Sequence, residues 1–279
     1  MDKLKTYLKH PLSFVLLILI GLASIITVVS IIFIIIYILV NGIPNLTTDL
    51  FSLHYNSKNQ SMLPSIFNTV FITFLTLLIA VPIGIFSAVY LVEYAKKGSK
   101  LVKVIRVTTE TLAGIPSIVF GLFGFLAFVI ALGWGYSMIA GVLTLVMMVL
   151  PTIIRTTEEA LLAVPNSYRE GSFGLGAGKI RTIFKIIVPT AIPGILSGVI
   201  LAIGRIVGET AALIYTSGTV AETATSLTDS ARTLSVHLYC LLSEGLFTNQ
   251  AYATAVILLL LVVGINALSN FIAKKLAKK

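Results

Sequence analysis

Apolar residues run along this chain in long blocks separated by short polar stretches. Six blocks predict membrane-spanning helices, at about 12–40, 66–92, 112–132, 134–154, 191–216 and 251–273, since roughly 20 apolar residues in helical rise cross a bilayer core. The first block, from about Leu12 to Val40, is too long for the apolar part of a cleaved signal peptide and predicts a retained span. Only a turn around Gly133-Trp134-Gly135 separates the third block from the fourth, so those two form a helical hairpin. Pro82, Pro116, Pro151, Pro189 and Pro193 lie in or beside the apolar blocks, where they kink or end helices. The pattern is that of an all-α integral membrane protein with six transmembrane helices.

Composition agrees: of 279 residues, 57% are hydrophobic and 11% charged, too little polar surface for a soluble enzyme domain. A net charge of +9 would suit a nucleic-acid partner, but the basic residues sit in short segments between apolar blocks. Three precede the first span, five lie in 93–111, five in 155–190 and four after 273, leaving Lys58, Arg205 and Arg232 elsewhere. Lys and Arg collect in cytoplasmic loops, so both termini and both basic loops are expected to face the cytoplasm. The charge then reads as topology within membrane lipid, with no nucleic acid. The loops 41–65 and 217–250, rich in Asn, Ser and Thr, face outward. The single Cys240 forms no internal disulfide, and His10, His54 and His237 have no metal-site spacing.

The polar stretch 155–190 has internal order. Residues Ser167 to Phe173 suit a short helix opened by a hydroxyl cap, and Gly174 to Gly178 break it. From Lys179 to Val188 the apolar Ile180, Ile183, Ile186 and Ile187 recur at helical spacing, predicting a second short helix at an angle to the first. Such a pair on the membrane surface offers a shaped end to a soluble partner. Gly178-Lys179 does not belong to a phosphate-binding loop, which would need Gly where Phe173 stands and Ser or Thr where Ile180 stands. No nucleotide site is visible, so no cofactor is expected on this chain.

The fifth block carries Arg205 and Glu209, four residues apart and so expected on one helix face. A charge deep in a bilayer costs several kcal/mol unless it is paired or faces water, so the two are expected to line a path. Arg offers a planar fork of donors to an oxyanion, and Glu209 would accept the proton that phosphate carries and sulfate lacks. Thr210 is a further candidate donor. Gly194, Gly198, Gly204 and Gly208 repeat at four-residue spacing, which favours close helix packing.

Two sets of residues carry a resemblance. The stretch from Glu170-Gly171-Ser172 through Gly176 to Ile186 and Val188-Pro189 has the spacing of the docking loop of bacterial ABC importer permeases. Residues 68–95, 110–124, 150–172 and 204–218 are similar to the phosphate permease family, with LAGIPSIVFGLFG and GETAAL nearer the PstA-type subunit than the PstC-type. Ala212 stands where the PstA pattern usually has Pro. The resemblance implies a type I ABC importer permease in the bacterial inner membrane, moving inorganic phosphate inward by alternating access. It implies a PstC-like second permease, two cytoplasmic ATPase subunits holding ATP and Mg, and an extracytoplasmic phosphate-binding protein. The chain itself would then be no enzyme. Residues 1–65 would hold the first span and external loop, 66–273 the permease core, and 274–279 a basic tail. Arg205, Glu209 and Thr210 would serve translocation, and Tyr168, Arg169, Glu170, Gly171, Ser172 and Gly176 would dock the ATPase. Competing expectations are the same architecture for sulfate, molybdate or phosphonate, and an ion-coupled secondary transporter. A membrane enzyme acting on lipid phosphates lacks any catalytic cluster.

Overall fold

The computed structural model describes residues 11–96 and 98–277. The three lysines before the first span, His10, Lys97 and the last two lysines of the basic tail lie outside the described residues. Among the described residues the chain is helical, without strands. Helix α1 (Pro11–Gly42) is apolar on all sides, and almost all of its surface is left to the surroundings. Helix α2 (Leu63–Val89) ends in a π-helical turn, Tyr90–Tyr94. Helices α3 (Lys100–Ala113) and α4 (Ser117–Gly124, continued as a π-helix Phe125–Ala131) meet at 103°. Helix α5 (Met138–Leu162) is the most buried span. Helix α6 (Asn166–Gly174) precedes α7 (Lys179–Thr182), the π-helical turn Ile183–Ile187 and α8 (Val188–Val207). Helices α9 (Ala211–Thr216), α10 (Leu234–Glu244) and α11 (Thr248–Ala277) complete the chain.

Five of the six expected spans are continuous helices long and apolar enough to cross a membrane. The third differs: its apolar part starts at Ser117 rather than near residue 112, because Gly114-Ile115-Pro116 breaks the helix. The residue before a proline is driven out of the α region, which sets the bend. The preceding segment, expected as loop, is the amphipathic helix α3. The fifth span also differs. Lys179 to Val207 form one 29-residue run, so the second short loop helix is the beginning of the span itself. Pro189 lies where the π-helical turn Ile183–Ile187 passes into α8, so the helical run continues through it. The hairpin turn is as expected: Gly133 and Gly135 hold φ of +67° and +65°, a region closed to most side chains.

Packing centres on α5, against which α2, α4 and α8 lay Ile72, Ala80, Phe120 and Ala202 over Leu145, Val149 and Ile153. Small residues allow the approach. A Cβ at Gly84 would strike Ile153, and one at Gly194 would sit 2.6 Å from the Ala160 methyl. Helix α11 meets α1 where Gly42 touches the Tyr252 backbone and the Tyr37 and Tyr252 hydroxyls lie 3.2 Å apart.

The segment 218–233 closes one end of the bundle. It supplies carbonyls of Asp229 and Leu227 to the first N–H groups of α5, Met138 and Ile139, at 2.8 and 2.9 Å, donors that a helix start cannot satisfy itself. Asn68 ties α2 to the same segment by donating to the Glu222 and Arg232 carbonyls. Beneath it, in α10 and outside the spans, the buried His237 faces the Tyr55 ring edge-on. Burial, and then the neighbouring Arg232 cation, push its imidazole down to about 3.

A depressed base favours the unfolded chain in acid. From pH 6.5 down towards 3 the unfolded chain takes up a proton that folded His237 refuses, so stability falls through that window by at most about 1.4 kcal/mol per pH unit. Thermal unfolding of the detergent-solubilised protein should show the parent losing more between pH 7 and pH 4.5 than H237L does. Equal losses would exclude His237 as the source.

Candidate functional site

Helix α8 presents Ser197, Ile200, Leu201, Gly204 and Arg205 at spacings of three and four residues, hence along one face. With Thr152 of α5 and Asn266 of α11 these residues line an open cavity of about 620 Å³. Its polar groups are one guanidinium, two hydroxyls and one carboxamide. Ser197 donates to the Pro193 carbonyl at 2.9 Å, leaving its oxygen lone pairs to the cavity. The Asn266 Oδ1 is buried with no hydrogen-bond partner among the described residues. Arg205 lies in the last turn of α8, where the helix dipole favours a cation. Among the described residues no carboxylate comes within ion-pair distance of it. No Cβ fills the space over Gly204, where nothing lies within 4 Å.

Glu209 corrects the sequence expectation. Helix α8 ends at Val207, so the four-residue spacing is not traversed along one helix, and Arg205 and Glu209 are not a facing pair. The Glu209 side chain is buried instead at the start of α9, where its Oε1 accepts the Ala212 N–H at 3.0 Å and its carbonyl accepts the Ser235 hydroxyl at 2.6 Å. A carboxylate there satisfies an orphan donor and meets the positive end of α9. Thr210 begins the same short helix, its hydroxyl 3.5 Å from the Gly208 carbonyl; it does not line the cavity. Of the four small residues, Gly194 and Gly198 contact α5 at Ala160 and Thr156, whereas Gly204 opens the cavity. Sequence reading missed Thr152, Ser197 and Asn266. The available signal was an isolated polar side chain in an apolar block, two turns from Arg205 in the case of Ser197.

At the opposite end of the run Lys179–Val207 lies the loop expected to dock a partner. Helix α6 is present, but its start is Asn166 preceded by Pro165, without a side-chain cap. Gly176, with φ of +79°, ends the turn that follows. Tyr168, Glu170, Gly171 and Gly176 are exposed, while Ser172 is buried with its hydroxyl 2.8 Å from that of Thr182. Arg169 turns inward and pairs with Glu93 at 2.7 Å, both side chains largely covered. Two of the six expected docking residues are therefore inside the joint and not on its surface. The exposed apolar tip is made instead by Phe173 and Leu175, the latter 91% exposed, beside Ile180 and Phe184. Lys179 lies over the Tyr94 ring at 4.7 Å. Among the described residues no cluster of His, Cys, Asp and Glu could hold a metal ion.

Comparison with known proteins places this architecture. The family described as "Binding-protein-dependent transport system inner membrane component" matches residues 80–279. The "Probable ABC transporter permease protein YqgI" of Bacillus subtilis (strain 168) is 33% identical over 261 residues, 87% of this chain and 88% of that protein. The "Phosphate transport system permease protein PstA 1" of Mycobacterium tuberculosis (strain CDC 1551 / Oshkosh) is 45% identical over 140 residues, half of this chain and 45% of that protein. One chain of a bacterial alginate ABC transporter crystal structure superposes with a TM-score of 0.71 at 15% identity, covering 98% of both chains; that likeness concerns the fold.

The capping geometry of Glu209 is testable. E209A should lose about 1 kcal/mol of stability, the cost of an empty helix start, while E209Q keeps an acceptor oxygen and stays near the parent. Equal thermal midpoints for E209A and parent would remove the cap.

Proposed function

The chain belongs to the family of binding-protein-dependent transport system inner membrane components, and we propose that it is the permease subunit of an ATP-driven importer of inorganic phosphate. Arg205 carries the reading: an unpaired guanidinium at a cavity bounded by three spans has the charge and fork geometry for a tetrahedral oxyanion. The cargo supplies the neutralising charge that no described carboxylate brings to it. Asn266 takes over the discriminating part that Glu209 cannot play. Its orphan acceptor suits the hydroxyl of a protonated phosphate and finds no proton on sulfate. The naming of the mycobacterial relative supports the same cargo.

In this reading a related second permease of the PstC kind completes the path. Two soluble ATPase subunits grip α6 and the apolar tip around Leu175, and an extracytoplasmic binding protein delivers the anion. ATP and Mg belong to the ATPase subunits. The Lys and Arg of the basic loops support a reading with α6 on the cytoplasmic side of the bacterial inner membrane. Closure of the ATPase pair moves α6, and the cavity beside Arg205 changes the side to which it opens.

Uptake of radiolabelled phosphate into proteoliposomes holding the assembled complex tests this. R205A should lower uptake at least about 100-fold, the scale of two lost charge-assisted hydrogen bonds, with the complex still assembled. Normal transport by R205A would remove the residue from the path. N266L should let sulfate compete about tenfold better than in the parent; an unaltered preference would discard the acceptor argument.

A further inference from the structure

One side chain makes the joint between α6 and the spans. The Arg169 guanidinium uses all five of its N–H groups. Its Nε and NH2 donate to Glu93 Oε1 at 3.1 and 2.7 Å, and NH2 also donates to the Leu161 carbonyl at 3.1 Å. Its NH1 donates to the Val164 carbonyl at 3.0 Å and to Asn166 Oδ1 at 3.4 Å. Glu93 belongs to the π-helical turn that ends α2, and Leu161 and Val164 lie at the end of α5, where carbonyls run out of intrahelical donors. The relative exposures of the Arg169 and Glu93 side chains are 17% and 10%, so the pair is shielded from competing water. Ser172 and Thr182 lock the far side of α6 to α7.

We infer that Arg169 is the positioning residue that holds α6 to α2 and α5 together, so that displacement of α6 by a docked ATPase moves both spans as one. This rests on the reading of α6 as the docking helix and names the part that passes its motion on. A planar fork is required. Lysine has three donors on a compact head and cannot span Glu93 and two separate carbonyls. An unclamped α6 could still be gripped from outside, since Tyr168, Glu170 and Leu175 remain exposed, but it would tilt without carrying the spans.

The test uses the full complex of both permeases with the ATPase subunits in lipid. R169K keeps the charge and loses the fork. It should retain the ATPase subunits and their ATP hydrolysis, while phosphate taken up per ATP falls at least about tenfold, the scale of one lost hydrogen bond to a charged group. A second readout needs no cargo. In a C240S background, the labelling rate of S197C in the cavity wall should change when ATP and vanadate trap the ATPase pair closed. R169K and E93A should abolish that change. Uptake and labelling of R169K equal to the parent's would overturn the proposal. Loss of the ATPase subunits from both R169K and E93A would also overturn it, by making the clamp a scaffold only. A parent that fails to import phosphate yet whose label responds to ATP, with R169K silent, would refute the cargo and uphold the clamp. A parent label indifferent to ATP would refute the docking reading and the clamp with it.

Discussion

A bilayer core offers no water to an unpaired polar group, and three interruptions of this helical bundle are closed by partners within the chain. The gap between α8 and α9 is sealed by Glu209 on the Ala212 N–H and by Ser235 on the Glu209 carbonyl. Asp229 and Leu227 supply carbonyls to the start of α5, and Arg169 takes the carbonyls at its end. Two polar groups without a partner among the described residues lie beside one cavity, the Arg205 guanidinium and the buried Asn266 Oδ1, while the other unpartnered buried groups, on Ser65, Thr76, Thr157, Arg232 and His237, do not line it. Leaving such groups unpaired is costly, and a ligand that brings a negative charge and a proton meets both needs.

Much of this was legible from apolar block length, since a span is set by bilayer thickness and little else. The hairpin at Gly133 and Gly135 was equally plain, because a positive φ demands glycine. The first error comes from assumed continuity. Spacing arguments assume an unbroken helix, and the break at Gly208 put Glu209 on a different element from Arg205. Pro189 reads as a boundary in sequence but lies inside a continuous helical run, which hid the continuity of α7 with α8. A sequence pattern also marks positions without direction: Arg169 and Ser172 fall among exposed neighbours, and only the fold turns them inward. Asn266 carried no periodic signal at all, being one of several polar residues scattered along its helix.

The long run from Lys179 to Val207 connects the two functional ends. At 1.5 Å per residue its 29 residues reach about 42 Å, so the tip at Ile180 and Phe184 and the cavity at Arg205 ride on one element. Helix rods transmit displacement with little loss, whereas loops would absorb it. The bend available to this rod is local, at Pro193 and at the π-helical turn Ile183–Ile187.

What the rod can do depends on the face it slides against. Its closest backbone approaches to α5 are made by Gly194 on Ala160 and Gly198 on Thr156. Long side chains interdigitated there would fix the register of the two helices, because a packed core repacks only in discrete steps. Small residues leave a low barrier to shear while keeping the backbones close. Large apolar side chains pack along the whole run, Ile187 and Ile195 with Ile154 and Leu161 and, nearer the cavity, Ile206 with Val149 and Ile153. The run is therefore packed at both ends with its closest approach to α5 between them, so force entering at α6 reaches Arg205 through one element.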